Sequence, residues 1–390
     1  MSPLCQTHIE AAQLNHMEPY YPLHAYVCER CFLVQLEEFV GPGDIFSEYA
    51  YFSSYSDSWV EHARRYTELM VGRFGLGRDS RVVEIASNDG YLLQHFVARG
   101  IPALGVEPAA NVAAAAEARG VRSVVRFFGC ETARELEAEF GKAHLLLGNN
   151  VLAHVPRLND FVAGMKLLLH ERGVITMEFP HLLELMRLNQ FDTIYHEHFS
   201  YFSFGTVQAV FARHGLTLFD VERLPTHGGS LRIYARHAED DSKPIGARVD
   251  ELLRIEGDAG LRELPAYADF GARVRETKRA LLEFLIEAKR AGKRIVGYGA
   301  PGKGNTLLNY CGIGTDFLDF TVDRNPYKQG KYTPGMHIPI LAPDALVTAK
   351  PDYVLILPWN LREEIVATVG PLLPSHTRFV VPIPRVEVLG

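Results

Sequence analysis

The sequence predicts an α/β protein carrying two parallel sheets, preceded by a small cysteine-bearing domain. Three observations support this. "RVVEIASNDGYLLQHF" (81–96) and "RIVGYGAPGKGNTLLNY" (294–310) each pass from an apolar strand through a tight turn into an amphipathic helix. That unit turns backbone N–H groups toward a ligand, as in Rossmann-like folds. "CERC" places Cys28 and Cys31 in a polar N-terminal stretch. The chain has 390 residues, and single cores rarely grow past about 250–300 residues, so several domains are expected. The boundaries expected are 1–68 for the N-terminal domain, 69–185 for the first sheet, 186–285 for hairpins and connecting helices, and 286–390 for the second sheet.

A formal net charge of -7 leaves no basic stripe for a phosphate backbone, so nucleic acid is not an expected partner. No apolar run approaches the roughly 18 residues of a membrane span, and the first residues lack the basic and apolar regions of a signal peptide. A cytoplasmic protein is expected, as a monomer or weak homodimer.

Five cysteines, unevenly spaced, do not suggest a disulfide framework. "CQTH" repeats the spacing of "CERC" with Cys5 and His8, about twenty residues earlier. Two such pairs suit a structural zinc site, in which thiolate and imidazole donors close a tetrahedron and stabilise a short polar segment. A redox dithiol or buried core cysteines fit the same residues, and His16 and His24 are substitute ligands.

In the first strand–turn–helix unit, "RVVEI" turns through Ala86 to Gly90 and resumes as helix from Tyr91. "ALGVEP" then forms a second strand ending at Glu107, about twenty residues on, where an acid can accept both hydroxyls of a ribose. "HLLLGNN" and "GVITMEFP" supply further strands, and ligands collect at the carboxyl ends of such strands.

"YHEHF" (195–199) concentrates titratable side chains. Histidine suits general-base work because its unperturbed pKa, about 6.5, lies near working pH. In a helical turn Tyr195 and His198 share a face, and in a strand Tyr195 and Glu197 do. His196 and His198 at i and i+2 can also chelate a metal from a strand, although the H-E-x-x-H spacing of metallohydrolases is absent. In "PTHGGSLRIYA" (225–235), Gly228 and Gly229 permit a hairpin turn or close backbone approach to a ligand. "ARVDELLRIEG" and "FGARVRETKRALLEFLIEAKRAG" read as long amphipathic helices. The second unit then presents Gly297, Gly299 and Gly302 as G-x-G-x-x-G, with Lys303 beside them and Asp323 ending the next strand. An NAD site is one reading of this glycine run, and a helix N-terminus for the pyrophosphate of a sugar nucleotide is another.

The turn E-I-A-S-N-D-G resembles motif I of S-adenosylmethionine-dependent methyltransferases, E/D-x-G-x-x-x-G, with Ala86 at the first glycine. The cysteine pairs, E-I-A-S-N-D-G-Y, G-N-N-V-L-A-H-V-P, Y-H-E-H-F, P-T-H-G-G-S-L-R and the glycine-rich second turn occur in the order found in sugar-nucleotide C-methyltransferases, the C-3 methyltransferases of deoxysugar biosynthesis. Nearly the whole chain is covered, with His8 standing where that family usually has a second cysteine. The resemblance implies a zinc-binding N-terminal domain, a Rossmann-like methyltransferase domain and a C-terminal Rossmann-like α/β domain for the substrate's nucleotide. It implies His198 as base, Tyr195 as hydrogen-bond donor to an enolate, Glu197 as a sugar-binding or orienting group, and His154 and Tyr51 at the active site, with His196 structural. S-adenosylmethionine is expected at Glu84, Ala86, Asn88, Gly90, Tyr91, Glu107, Pro108, Asn149 and Asn150. A nucleotide-linked keto sugar is expected at His227, Gly228, Gly229, Arg232, Gly299, Lys303 and Asp323, and structural zinc at Cys5, His8, Cys28 and Cys31. The rival classes are an NAD-dependent sugar-nucleotide oxidoreductase and a non-catalytic protein that keeps only the cofactor pocket.

Overall fold

A computed structural model describes residues 1–46 and 52–390, so Tyr51 lies outside the described residues. The chain divides into two compact units that do not follow chain order. The first comprises Val27–Leu183 and Phe199–Leu264; the second comprises Met1–Tyr26, Glu184–His198 and Pro265–Gly390.

The first unit is built on a seven-stranded sheet. Its strands are β1 (Val82–Ile85), β2 (Ala103–Val106), β3 (Ser123–Val124), β4 (Ala143–Asn149), β5 (Leu169–Pro180), β6 (Leu216–Leu224) and β7 (Ser230–His237), in the order β3-β2-β1-β4-β5-β7-β6. Strand β7 runs antiparallel to both neighbours, pairing Ser230 with Pro180 on one side and Leu224 on the other. The central strands are apolar on successive residues because both faces are covered. Val83, Ile85, Leu146 and Ile175 enter one core with Phe161 and Phe211, while Val82, Leu145, Leu147 and Val174 enter another with Tyr66 and Phe96. Helix α1 (Asp57–Phe74) begins where the Ser56 side chain accepts from the Trp59 N–H, and ends at Gly75 with φ 62°. It buries Ala63, Tyr66, Thr67 and Met70. The helical text after residue 245 opens with α2 (Ala247–Asp258), which buries Val249, Leu252 and Glu256.

The second unit carries a six-stranded sheet of β8 (Ile295–Tyr298), β9 (Thr321–Val322), β10 (Ile340–Leu341), β11 (Tyr353–Ile356), β12 (Arg378–Val381) and β13 (Glu387–Leu389), ordered β10-β9-β8-β11-β12-β13. All pairings are parallel except that of β13 with β12. Helix α3 (Phe270–Arg290) buries Val274, Leu281, Leu285 and Ala288 against it, and α4 (Gly302–Cys311) follows the glycine turn. Phe191 belongs to this core, and residues 9 and 332 exchange backbone hydrogen bonds. Both the N-terminal segment and the stretch before Phe199 are therefore held to this unit. Among the described residues no helix is long and apolar enough to cross a membrane.

Candidate functional site

The turn after β1 is bent tightly by non-glycine residues. Ala86 has φ 55° and Asn88 φ 50°, with Gly90 at φ 76°. Left-handed backbone at an alanine costs about 1–2 kcal/mol and persists only where the surroundings impose it. A Cβ on Gly90 would lie 2.9 Å from Val121 Cγ2. At the end of β1, Glu84 is fully buried, with the Tyr91 side chain as its hydrogen-bonding neighbour. Burial first, then the charges of Glu107, Asp89 and Glu178, push its pKa well above the usual carboxylate range. Glu107 accepts from the Asn88 N–H through Oε2 and the Ala109 N–H through Oε1, each at 2.9 Å, and Pro108 follows it. Burial raises its pKa against these two bonds. Asn149, at the end of β4, donates to the Tyr91 hydroxyl at 3.4 Å, while its enclosed Oδ1 has no partner among the described residues. Asn150, at φ 55°, donates its N–H to the Glu178 carbonyl at 2.7 Å. A buried carboxyl that a cation would draw to its charged form and an amide oxygen with no donor among the described residues fit a cofactor carrying an ammonium and an adenine amine, as S-adenosylmethionine does.

Beside this turn lies a cluster that sequence reasoning reached only in part. The Trp59 ring stacks on His62 at 4.8 Å and on Tyr91 at 6.0 Å, and meets His227 edge-on at 5.0 Å. His62 Nε2 bonds Glu178 Oε2 at 2.9 Å, and Arg232 Nε donates to Glu178 Oε1 at 2.7 Å. Burial pulls the Glu178 pKa up, but His62 and Arg232 outweigh it and hold the group below the usual range. The Arg232 guanidinium also reaches Glu222 at 3.0 Å and is 4% exposed, so it is committed to protein carboxylates. His227, at φ 57°, leads into Gly228 and Gly229 at φ 91° and 117°, the sharp entry to β7. Two signals for the missed residues were available: Trp59 and His62 share a helix face at i and i+3, and Glu178 is an acid inside an otherwise apolar strand. His154 ends a 3-10 turn following β4, with the Phe46 ring edge-on at 5.4 Å.

In the second unit the residues before Phe199 form a turn, the first of the two conformations the sequence left open. The His198 N–H donates to the Tyr195 carbonyl at 2.9 Å, and the two rings lie 4.1 Å apart. His198 Nδ1 contacts the Thr193 carbonyl at 2.9 Å. A carbonyl only accepts, so Nδ1 carries the proton and the ring's lone pair is on Nε2. His196 turns away to the Pro22 carbonyl at 3.0 Å, and burial lowers its pKa. Glu197 is 3% exposed and accepts from the Cys5 thiol at 3.4 Å.

The glycine turn after β8 answers largely to protein atoms. A Cβ on Gly297 would meet Thr321 Oγ1 at 2.6 Å, one on Gly299 Pro358 Cδ at 2.6 Å, and one on Gly302 Cys5 Sγ at 2.9 Å. Asp323 accepts from the Ala300 N–H at 2.8 Å while Lys328 donates to the Ala300 carbonyl at 2.9 Å. Lys303 donates to Asn360 at 2.8 Å, and burial lowers its pKa against the attraction of Asp192.

The four expected zinc ligands are not brought together. Among the described residues no group of three or more His, Cys, Asp or Glu side chains converges as a metal site. Cys5 and His8 belong to the second unit, Cys28 and Cys31 to the first. Cys5 is buried, and the exposed Cys31 shares a hydrogen bond with Cys28 that lowers the Cys28 pKa, after the larger effect of the Arg30 and Cys31 backbone.

Three family models cover most of the chain: "Putative zinc binding domain" over residues 1–46, "Methyltransferase domain" over 59–221 and "C-methyltransferase C-terminal domain" over 225–384. The C-methyltransferase NovU of Streptomyces niveus is 38% identical over 373 residues, spanning 96% of this chain and 89% of that protein. Solved structures with a similar partial fold include magnesium protoporphyrin IX methyltransferase (ChlM) from Synechocystis PCC 6803 with bound SAM. It is 12% identical over 46% of this chain and 81% of its own, with a TM-score of 0.34. Another is the 1,6-didemethyltoxoflavin-N1-methyltransferase of Burkholderia thailandensis, 22% identical over 47% and 82%, with a TM-score of 0.36. The near-complete relative and the matched domains agree with the cofactor turn, and this chain belongs to the C-methyltransferases, as an S-adenosylmethionine-dependent methyltransferase.

Proposed function

We propose that this enzyme methylates the carbon beside the keto group, C-3, of a nucleotide-linked 4-keto-6-deoxy sugar in deoxysugar biosynthesis, by way of an enolate. The observation that carries the reading is the His198 tautomer: with Nδ1–H on the Thr193 carbonyl, Nε2 is the basic atom. A carbon next to a ketone gives up a proton when a base is placed at it and the developing oxyanion is stabilised. His198 takes that proton, Tyr195 donates to the enolate oxygen, and Glu197 holds or orients the sugar. His154 is assigned to the same chemistry, as is Tyr51 by resemblance alone. S-adenosylmethionine supplies the electrophilic methyl group, with Glu84 facing its ammonium and Glu107 its ribose. Gly299, Lys303 and Asp323 are assigned to the substrate's nucleotide, and His227 with Gly228 and Gly229 to the sugar. Zinc is assigned a structural role at Cys28 and Cys31, in a cytoplasmic monomer or weak dimer.

The deciding experiment follows exchange of the substrate's α-proton with deuterated solvent, because it reports deprotonation without methylation. His198→Asn is expected to lower exchange and methylation by about 10²- to 10⁴-fold, the usual contribution of a general base, while S-adenosylmethionine affinity stays at the parent level. Parent-level exchange in His198→Asn, with loss in His154→Asn, moves the base to His154. Parent-level exchange in both variants removes the enolate reading.

A further inference from the structure

The segment suggested by its spacing as one arm of a metal site is enclosed elsewhere. Cys5 is 3% exposed, and its thiol donates to Glu197 Oε1 at 3.4 Å across a separation of 192 residues. Its carbonyl accepts from Asn305 Nδ2, on α4, at 2.7 Å. The third glycine of the G-x-G-x-x-G run makes room for it: a Cβ on Gly302 would press on Cys5 Sγ at 2.9 Å and on Gln6 Nε2 at 3.1 Å. His8 is held near the Ala300 carbonyl; burial, followed by the Lys328 charge, lowers its pKa to about 4. Burial also raises the Cys5 pKa, followed by the Glu197 charge, so the sulfur remains a thiol able to donate. A zinc-bound sulfur needs the metal at about 2.3 Å with three further donors around it, whereas the Cys5 thiol is closed in by the Glu197 carboxyl it donates to and by Gly302.

We infer that Cys5 is a positioning residue for the methyl-transfer site and not a metal ligand: its thiol holds the buried Glu197 carboxyl in the orientation in which Glu197 meets the substrate. The inference rests on the assignment of Glu197 to the sugar made above. A carboxylate offers about four lone-pair directions, and the bond from Cys5 occupies one on Oε1 and aims the rest. Gly302 and Asn305 fix Cys5 in turn, so the glycine run serves the reaction through packing on the N-terminal segment.

The test uses the full-length chain and compares Cys5→Ala, Cys5→Ser and Cys28→Ser. Bound zinc is measured by elemental analysis, S-adenosylmethionine affinity by calorimetry, and α-proton exchange and methylation with 4-keto-6-deoxy sugar nucleotides. Cys5→Ala is expected to keep the parent's zinc content and cofactor affinity, and to lower kcat/KM for the sugar nucleotide about tenfold. Cys5→Ser, which restores a donor of slightly shorter reach, is expected to recover most of that loss. Cys28→Ser is expected to lose zinc. Loss of zinc in Cys5→Ala, parent-level kinetics in Cys5→Ala, or equal impairment of the alanine and serine variants each overturns the inference. If Cys5→Ala does not fold, the serine variant decides: it must keep zinc and retain kcat/KM within about threefold. A parent enzyme that binds S-adenosylmethionine but exchanges no α-proton overturns the enolate reading along with this one. A parent that exchanges at the same rate as Cys5→Ala overturns this inference alone.

Discussion

The turn after β1 places left-handed backbone on Ala86 and Asn88, whereas the turn after β8 places it on Gly299. In the first, a buried acid, Glu84, is pushed toward its neutral form by burial and by the charges of Glu107, Asp89 and Glu178. In the second, the charged residue is Lys303, which donates to Asn360 and is attracted by the buried Asp192. The glycines of the second turn are each explained by a nearby protein atom: Thr321, Pro358 or Cys5. The less regular motif thus keeps strain and a buried carboxyl that a ligand's cation can bring to its charged form, while the more regular one is largely satisfied from within. A glycine pattern reports how closely backbone and neighbour approach, and the neighbour need not be a cofactor.

The largest effect expected from this contrast concerns Asp192. It is fully buried, accepts from Trp359 Nε1 at 2.7 Å, and has its pKa raised to about 6 by burial, against the pull of Lys303 and the tryptophan bond. An acid with a raised folded pKa loses stabilisation as pH rises through that value. The parent is expected to lose stability between about pH 4 and pH 6, and Asp192→Asn to exceed the parent by on the order of 3 kcal/mol at pH 7 while matching it below about pH 4. Urea unfolding at the two pH values measures this; a parent and variant that differ equally at both would show that Asp192 is not the titrating group.

Next in size is Glu84→Gln. Losing a charged partner for an ammonium is expected to weaken S-adenosylmethionine binding about 10- to 100-fold, corresponding to the 1.5–3 kcal/mol of a charge-assisted hydrogen bond. The unliganded variant is expected to melt no lower than the parent, since the amide replaces a carboxyl that burial and neighbouring acids already hold neutral. Calorimetric affinity at the parent value would place the cofactor's ammonium elsewhere.

Gly302→Ala is expected to destabilise by about 1–3 kcal/mol through overpacking on Cys5 and Gln6, with S-adenosylmethionine affinity unchanged. A variant as stable as the parent would show that the N-terminal segment yields freely. The smallest expected change is Ala86→Gly, which relieves left-handed strain and is expected to gain at most about 1 kcal/mol in thermal unfolding. A marked loss of cofactor affinity in that variant would show that the Ala86 methyl itself contacts the ligand.

Much of the site was legible because it is local. Tyr195 and His198 meet within one turn, so their spacing alone brought the rings together. The ligand turn from Glu84 to Gly90, and Glu107 at the next strand end, follow from apolar strand text and the carboxyl-end rule. Arg232 was expected at the sugar nucleotide, yet β7 lies against β5 and brings Glu178 to it. Trp59 and His62 drew no expectation from the sequence, and the fold sets them against Tyr91 and Glu178.

By itself, the sequence determined the local structure of this protein: which segments are strands, which turns must tighten, and which five residues gather the titratable side chains of one turn. Those properties depend on period, backbone sterics and near neighbours, which a linear string displays. Only the tertiary structure decided the partners of isolated groups. It set Cys5 on Glu197 and beside Gly302, and bound Glu178 from both sides by His62 and Arg232. These pairings come from strand order and from chain returns over large sequence separations. There, burial selects whichever donor reaches an enclosed acceptor, and spacing along the chain carries no record of that selection.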